Sequence, residues 1–280
     1  MNKTAKTAAR KTVNVLMLVI LAFLTTLPIF WCIITSLKTP QDISAYPPKI
    51  FNFTVTWNNY KQVFGQSFLQ TAGNSVVYSL LTILACLVLG YLAAYGFERR
   101  RFPLKKLLFY IVVIGIPLST GSSVLLIPNY LMMMKLHLTN HWYTLPLLYT
   151  AYNLPLVIWM LISGVRGLPY EIEEAARIDG CSQFYIITRI IPPVIRPSFA
   201  AAALFAFIGA WNEFITATVM VNGYALKNIQ MAIYDYIGFF GQEWGPLCGA
   251  ATLAIIPILL VFTFLGKQLV SGLTAGAVKG

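Results

Sequence analysis

Few residues of this 280-residue chain are of a type that does chemistry, and their spacing excludes most enzymatic readings. His137 and His141, in HLTNH, stand four apart, as two metal-binding imidazoles on one helical turn would. The Glu of H-E-x-x-H is missing and no third ligand lies nearby, so a polar loop explains them better than a metal site. Cys32, Cys86, Cys181 and Cys248 are far apart without a C-x-x-C pair, which suggests neither zinc nor a disulfide framework. No G-x-x-x-x-G-K-S/T phosphate loop is present; GLTAGAVKG at residues 272–280 has the wrong spacing, so this chain is not expected to hydrolyse ATP. No catalytic residue and no metal set emerges. What stands out is EEAARIDG, residues 173–180, with four charges in eight residues where only 10% of the chain is charged.

The elements that position these residues are membrane spans. Hydrophobic residues make up 58% of the chain, and windows of about 20 apolar residues, enough helix to cross about 30 Å of hydrocarbon, recur along its length. The first run follows a basic start, but it is too long for a signal peptide and has no small-residue cleavage site after it. The pattern predicts six spans at about 14–36, 74–97, 107–134 (broken), 145–165, 199–221 and 247–269, in one all-α transmembrane domain over residues 1–280. The net charge of +11 then sorts by loop. With the N-terminus inside, the cytoplasmic segments hold 15 of the 20 basic residues, and the other side holds only Lys38, Lys49, Lys61, Lys135 and Lys227. Both termini are therefore expected inside, and the basicity reports topology rather than nucleic acid.

Within the spans, polar residues nominate a solute path. Ala202, Ala206, Gly209, Ala210 and Glu213 recur at helical spacing along the fifth span, a small-residue face with a carboxylate roughly 21 Å from Phe199 at about 1.5 Å per residue. Glu213 is the only carboxylate of the nine inside a span, too few for a proton relay. Glu213, Asn212 and Trp211 are of the types that hold sugar hydroxyls and stack on sugar rings, although successive helical residues point about 100° apart and at most two can share one cavity. A hydrogen bond accepted by Glu213 from a neighbouring helix and an anchoring role for Trp211 compete with that reading. The third span is broken by Pro117, Gly121 and Pro128, with the polar run STGSS from Ser119, as a path-lining segment or a simple proline kink would be. Tyr149, Tyr152 and Asn153 in YTAYN are weaker candidates, because interfacial aromatics usually anchor.

Between the fourth and fifth spans, residues 166–198 form a segment with its own helical signals. Pro169 suits a first turn, Glu171, Glu173 and Glu174 complement the helix dipole, and Gly180 supplies a stop, so a helix is expected over 169–179. Glu173 and Arg177 are spaced as a solvent-side pair, with Ile172, Ala175, Ala176 and Asp179 on a docking face. Ser182 can cap a second helix carrying Phe184 to Ile187, ended by Pro192 and Pro193. Periodicity leaves open whether this surface meets a partner or lies on its own chain or the bilayer.

The stretch EEAARIDGCSQFYIITRIIPP resembles the EAA loop of binding-protein-dependent ABC importer permeases, whose pattern is E-A-A, three residues, G, nine residues, I-x-L-P. Glu174, Ala175, Ala176, Gly180, Ile190 and Pro193 fall on it, and Pro192 departs from the usual Leu. NSVVYSL from Asn74, WNEF from Trp211 and the ending GLTAGAVKG are similar to the carbohydrate branch, the maltose-type permeases. The resemblance implies a type I ABC importer permease fold in a bacterial inner membrane, moving a sugar or oligosaccharide delivered by an extracytoplasmic binding protein. It further implies a second, related permease chain and two ATPase subunits that bind ATP and Mg, with no cofactor in this chain. The ATPase would seat Glu173, Glu174, Ala175, Ala176, Arg177, Asp179 and Gly180, and also touch the tail at 275–280. The substrate path would use Glu213, Asn212, Trp211, Ser119, Asn153 and Tyr152, and the external loop at 39–73 would receive the binding protein. A permease for a polyol or glycerol phosphate, or a secondary transporter, are the alternatives.

Overall fold

Runs of Leu, Ile, Val and Phe with few polar interruptions leave the backbone no partner but itself, and helices result. The computed structural model describes the backbone of residues 3–277 apart from 66, 121, 239 and 240, and the side chains of residues 11–117 and 125–266 apart from 66, 239 and 240. In chain order the helices are α1 (Lys3–Ser36), α2 (Pro40–Ile43), α3 (Asn58–Gly65), α4 (Phe68–Arg99), α5 (Lys105–Thr120), α6 (Ser122–Lys135) and α7 (Thr144–Arg166). Then come α8 (Glu171–Ile178), α9 (Gln183–Tyr185), a π-helical turn (Ile186–Ile190), α10 (Ile191–Val194), α11 (Arg196–Trp211), α12 (Ile215–Met220), α13 (Ile229–Tyr234) and α14 (Trp244–Ala277). A short antiparallel pair, β1 (Ile237–Gly238) with β2 (Gly241–Gln242), is the one departure from all-α among the described residues.

Four of the expected spans are single helices long and apolar enough to cross a membrane: α1 from Lys11, α4, α7 and α14. The third expected span is described as α5 and α6, on either side of residue 121, which lies outside the described residues. The fifth is also divided: α11 stops at Trp211 and α12 resumes at Ile215, so the continuous helix expected over 199–221 does not form. Before it, residues 183–194 and 196–211 are helical on either side of a bend of 81° and would make a fifth span if counted as one. Ser119 and the tail at 275–280 lie outside the described residues as far as side chains are concerned.

The chain divides into two compact units. One comprises residues 1–68 and 233–255. Its loop after α1 is organised by Asp42, which accepts hydrogen bonds from Lys49 Nζ (2.5 Å), the Thr54 backbone N–H (2.9 Å) and Thr39 Oγ1 (3.0 Å). Asn59 Nδ2 donates to the carbonyls of Ser36 (2.8 Å) and Lys38 (2.9 Å), satisfying the end of α1 where helical partners run out. The other unit, residues 69–232 and 256–280, holds two apolar clusters. Small residues set its helix spacing: a Cβ on Gly90 of α4 would lie 2.7 Å from Val157 Cγ1 of α7.

The three donors around Asp42, the Lys49 ammonium foremost, hold its carboxyl down to about 2. Because the folded value is depressed, this carboxylate contributes stability above its unfolded value, near 3.9, and that contribution is lost as pH falls through the folded value. Limited proteolysis of residues 39–56 is expected to show protection at pH 4 that fades toward pH 2. Asp42→Asn should be as cleavable at pH 6 as the wild type is at the acid end, and equal protection of the two proteins at pH 6 would refute Asp42 as the organiser.

Candidate functional site

The charged segment after α7 folds as two short helical pieces whose ends are built by the residues that the sequence suggests, within two positions. α8 covers Glu171–Ile178, with Pro169 just before it. Gly180 adopts φ +82°, its N–H reaching Arg177 O (3.0 Å) while Cys181 N–H reaches Ala176 O (2.9 Å), a paired closure that requires a left-handed residue. Ser182 caps the next piece by accepting the Tyr185 N–H (3.2 Å). Pro192 and Pro193 do not end it. They stand in the first turn of α10, where a missing N–H costs nothing, because the π turn before them resets the hydrogen-bond register.

The faces of α8 are not those expected. Glu173 is fully buried rather than on the solvent side: Arg99 Nε donates to its Oε1 (2.5 Å), Tyr95 OH to its Oε2 (2.9 Å), and Arg177 stands 3.7 Å away. Arg99 Nη2 also donates to Val165 O (3.0 Å) and Leu168 O (2.8 Å), so one guanidinium ties the ends of α4 and α7 to α8. Gln183 Nε2 extends the network to Tyr95 OH (2.6 Å). Ala176 and Ile172 pack into the chain's own core beneath, so the docking face expected from Ile172, Ala175, Ala176 and Asp179 is split. The outward face carries Glu174, Ala175, Ile178 and Asp179, followed by Phe184; Ile178 is 86% and Phe184 76% exposed. Arg99, Tyr95 and Gln183 escaped sequence reasoning because nothing local marks them; Arg99 lies 74 residues from Glu173.

A cavity of about 580 Å³ lies between α7, α11 and the break that follows α11. Tyr152, Asn153, Asn212 and Glu213 line it, with Phe205 and Phe214 as aromatic walls. The break brings Asn212 and Glu213 there together, since neither sits on a regular helix. Glu213 caps α12, accepting the backbone N–H groups of Thr216 (2.8 Å) and Ala217 (3.1 Å), while Asn228 Nδ2 holds its carbonyl (2.6 Å). Asn153 donates to Tyr149 O (2.8 Å) and fits because Gly209 faces it: a Cβ there would come 2.1 Å from Asn153 Oδ1. Tyr152 OH accepts from Asn129 Nδ2 of α6 (2.8 Å), a residue that the sequence did not single out. Trp211 does not reach the cavity; it is 1% exposed and stacked on Phe207, ring centroids 5.4 Å apart. His137 and His141 fall in the turn after α6 rather than on a helix, with the His141 ring stacked on Tyr143.

Breaking the buried pair from one side strands a charge, which costs about 3–5 kcal/mol. Glu173→Ala is thus expected to lower the thermal midpoint in detergent by several degrees, and the double change Arg99→Met with Glu173→Leu to recover only part of that loss, because the Val165 and Leu168 carbonyls lose their donor as well. Equal midpoints for wild type and Glu173→Ala would show that the network carries no stability.

Residues 86–274 match the family of binding-protein-dependent transport system inner membrane components. Among curated relatives, the chain is 32% identical to the sulfoquinovosyl glycerol transport system permease protein of Agrobacterium fabrum, covering 90% of this chain and 88% of that one. It is 31% identical to the trehalose/maltose transport system permease protein of Thermococcus litoralis, over 94% of each, and 31% identical to the trehalose transport system permease protein of Mycobacterium tuberculosis, over 91% of this chain and 92% of the relative. Among solved structures, a chain of a bacterial ABC transporter involved in the import of the acidic polysaccharide alginate superposes with a TM-score of 0.78 at 18% identity, over 95% of this chain and 98% of that one. That likeness shows the fold of ABC importer permeases. The chain belongs to the binding-protein-dependent inner membrane permeases, a multi-pass transport component of ABC importers rather than an enzyme.

Proposed function

We propose that this chain forms part of the path for a sugar or oligosaccharide through a bacterial inner membrane, paired with a second permease and driven by two ATPase subunits. The observation that carries the solute class is the lining of the α7–α11 cavity: two amides, a carboxylate and two tyrosines with Phe205 and Phe214 as walls, and no Lys or Arg. Amides and carboxylates hold hydroxyls, and aromatic faces cover the apolar faces of sugar rings. A phosphorylated solute would want a cation that this lining lacks. The carbohydrate and glycoside relatives support the same class.

In this reading six spans place both termini and the 166–198 segment on the cytoplasmic side, in keeping with the loop distribution of basic residues. The outward face of Glu174, Ala175, Ile178, Asp179 and Phe184 is the surface offered to an ATPase subunit, which alone binds ATP and Mg. Two apolar side chains so exposed on a charged segment fit a protein partner better than open water. The buried Arg99–Glu173 tie then makes α8 move as one body with the ends of α4 and α7, so that ATPase closure reaches the cavity helices. The loop at 39–73 is the surface for a sugar-loaded extracytoplasmic binding protein.

The test is uptake by proteoliposomes holding this chain with its co-purifying subunits. Asn153→Ala removes one amide from the cavity, and a lost hydrogen bond of about 1–1.5 kcal/mol corresponds to roughly tenfold slower sugar uptake with ATP hydrolysis retained. Undiminished uptake would remove the cavity from the path. Gly180→Val forces a β-branched residue into the left-handed region and should open the closure of α8, giving hydrolysis without uptake or loss of the ATPase on purification. Normal assembly and uptake in that variant would count against α8 as the docking element.

A further inference from the structure

A second cavity, of about 360 Å³, lies wholly within the unit that holds α1, walled in part by the loop that Asp42 organises. Trp31 and Thr35 of α1, Lys38, Asp42, Lys49 and Trp244 of α14 line it. Lys38 is the unusual member. A lysine at the end of a membrane helix ordinarily extends its ammonium into water. Here the residue is only 2% exposed, its backbone bridged to Val55 so that the loop folds over it. Its ammonium lies over the ring of Trp31 (4.7 Å to the centroid) and that of Phe53 (5.3 Å). Among the described residues it forms no ion pair. The nearby carboxylate is already occupied: Asp42 Oδ1 accepts from Lys49, and Oδ2 from Thr39 and Thr54. Ring faces attract a cation but accept none of its three N–H bonds as an oxygen would. Two ammonium groups and one carboxylate leave the cavity walls with a net positive charge.

The geometry points to an anion site for a phosphate group, and specifically for the headgroup of an anionic phospholipid held by Lys38. Three features select a lipid over a soluble anion. The cavity is walled by Pro28, Trp31, Cys32 and Thr35 of α1, whose most apolar window is only 6% buried within this chain. Trp31 and Trp244, half exposed at the cavity, are of the type that settles at headgroup depth. Lys38 stands just past the end of α1, and the residues that follow a membrane-spanning helix meet the headgroup region. The phosphate oxygens would take the ammonium and the Thr35 hydroxyl, with the acyl chains running along α1. Lys49, tied to Asp42, would be the neighbouring charge rather than the ligand. This inference is independent of the solute and of the ATPase reading.

The experiment uses the full chain in nanodiscs with equal amounts of phosphatidylcholine and phosphatidylglycerol, brominated on one lipid at a time, with tryptophan quenching as the readout of which lipid sits at Trp31 and Trp244. Native mass spectrometry counts the phosphatidylglycerol retained. Wild type should be quenched preferentially by brominated phosphatidylglycerol and retain it on release. Lys38→Met, which keeps the apolar stem, should lose the preference and lower retention about tenfold, whereas Lys38→Arg should keep both, as should Lys61→Met, a change at a lysine outside the cavity. Equal preference in wild type and Lys38→Met overturns the proposal. So does displacement of the lipid by millimolar inorganic phosphate, which would make the occupant a soluble anion. Thermal midpoints of the variants are measured alongside, and the Lys38→Arg result decides the matter if Lys38→Met proves unstable.

Discussion

The Arg99 guanidinium is the junction on which the arrangement around α8 depends. A helix end leaves carbonyls without intrahelical partners, and a buried carboxylate is costly unless every oxygen is hydrogen-bonded. Arg99 answers both needs at once, donating to Val165 O and Leu168 O at the end of α7 and to Glu173 on α8. Its planar fork can serve several acceptors in fixed directions, which a lysine could not do. Tyr95 closes the second Glu173 oxygen and links it to Gln183 at the start of the next helical piece. A short helix of eight residues, marginal by itself, is thereby made part of the membrane helices' own framework.

The same rule of satisfied polar groups shapes the cavity. The small residues of α11 read as one continuous stripe, but the carboxylate at its end competes for backbone donors. Glu213 takes the free N–H groups of a new helix, and α11 stops two residues earlier. Interrupting a helix at membrane depth is tolerated where other protein groups cover the exposed backbone, as Asn228 does for the Glu213 carbonyl and Gln230 for the Trp211 carbonyl. The interruption turns Asn212 and Glu213 toward one cavity and leaves Trp211 packed in the core, reversing the ranking that residue type alone suggests.

Much of the architecture was legible locally. Apolar runs of bilayer length marked the long helices α1, α4, α7 and α14 because length and hydropathy are properties of a single segment. Gly180 and Ser182 were readable because a left-handed stop and a side-chain cap depend on neighbours within six residues. The faces of α8 were not, since a charge pattern such as Glu173 with Arg177 looks the same whether its carboxylate meets water or an arginine 74 residues away. Pro192 and Pro193 misled for a related reason: a π turn just before them changes the register in which a missing N–H matters.

By itself, then, the sequence determined that the chain is a helical membrane protein, where its long helices lie, and that residues 173–193 carry a spaced pattern matching one permease family, because composition, periodicity and motif spacing are written along the chain. Which face of α8 turns outward, which polar residues of α11 and its break share a cavity with Asn153, and that Lys38 is covered were decided only by the tertiary structure. Each depends on the direction of a side chain toward a partner distant in sequence. Burial of a carboxylate or an amide is favoured where such a partner completes its hydrogen bonds, whereas the Lys38 ammonium rests on the rings of Trp31 and Phe53.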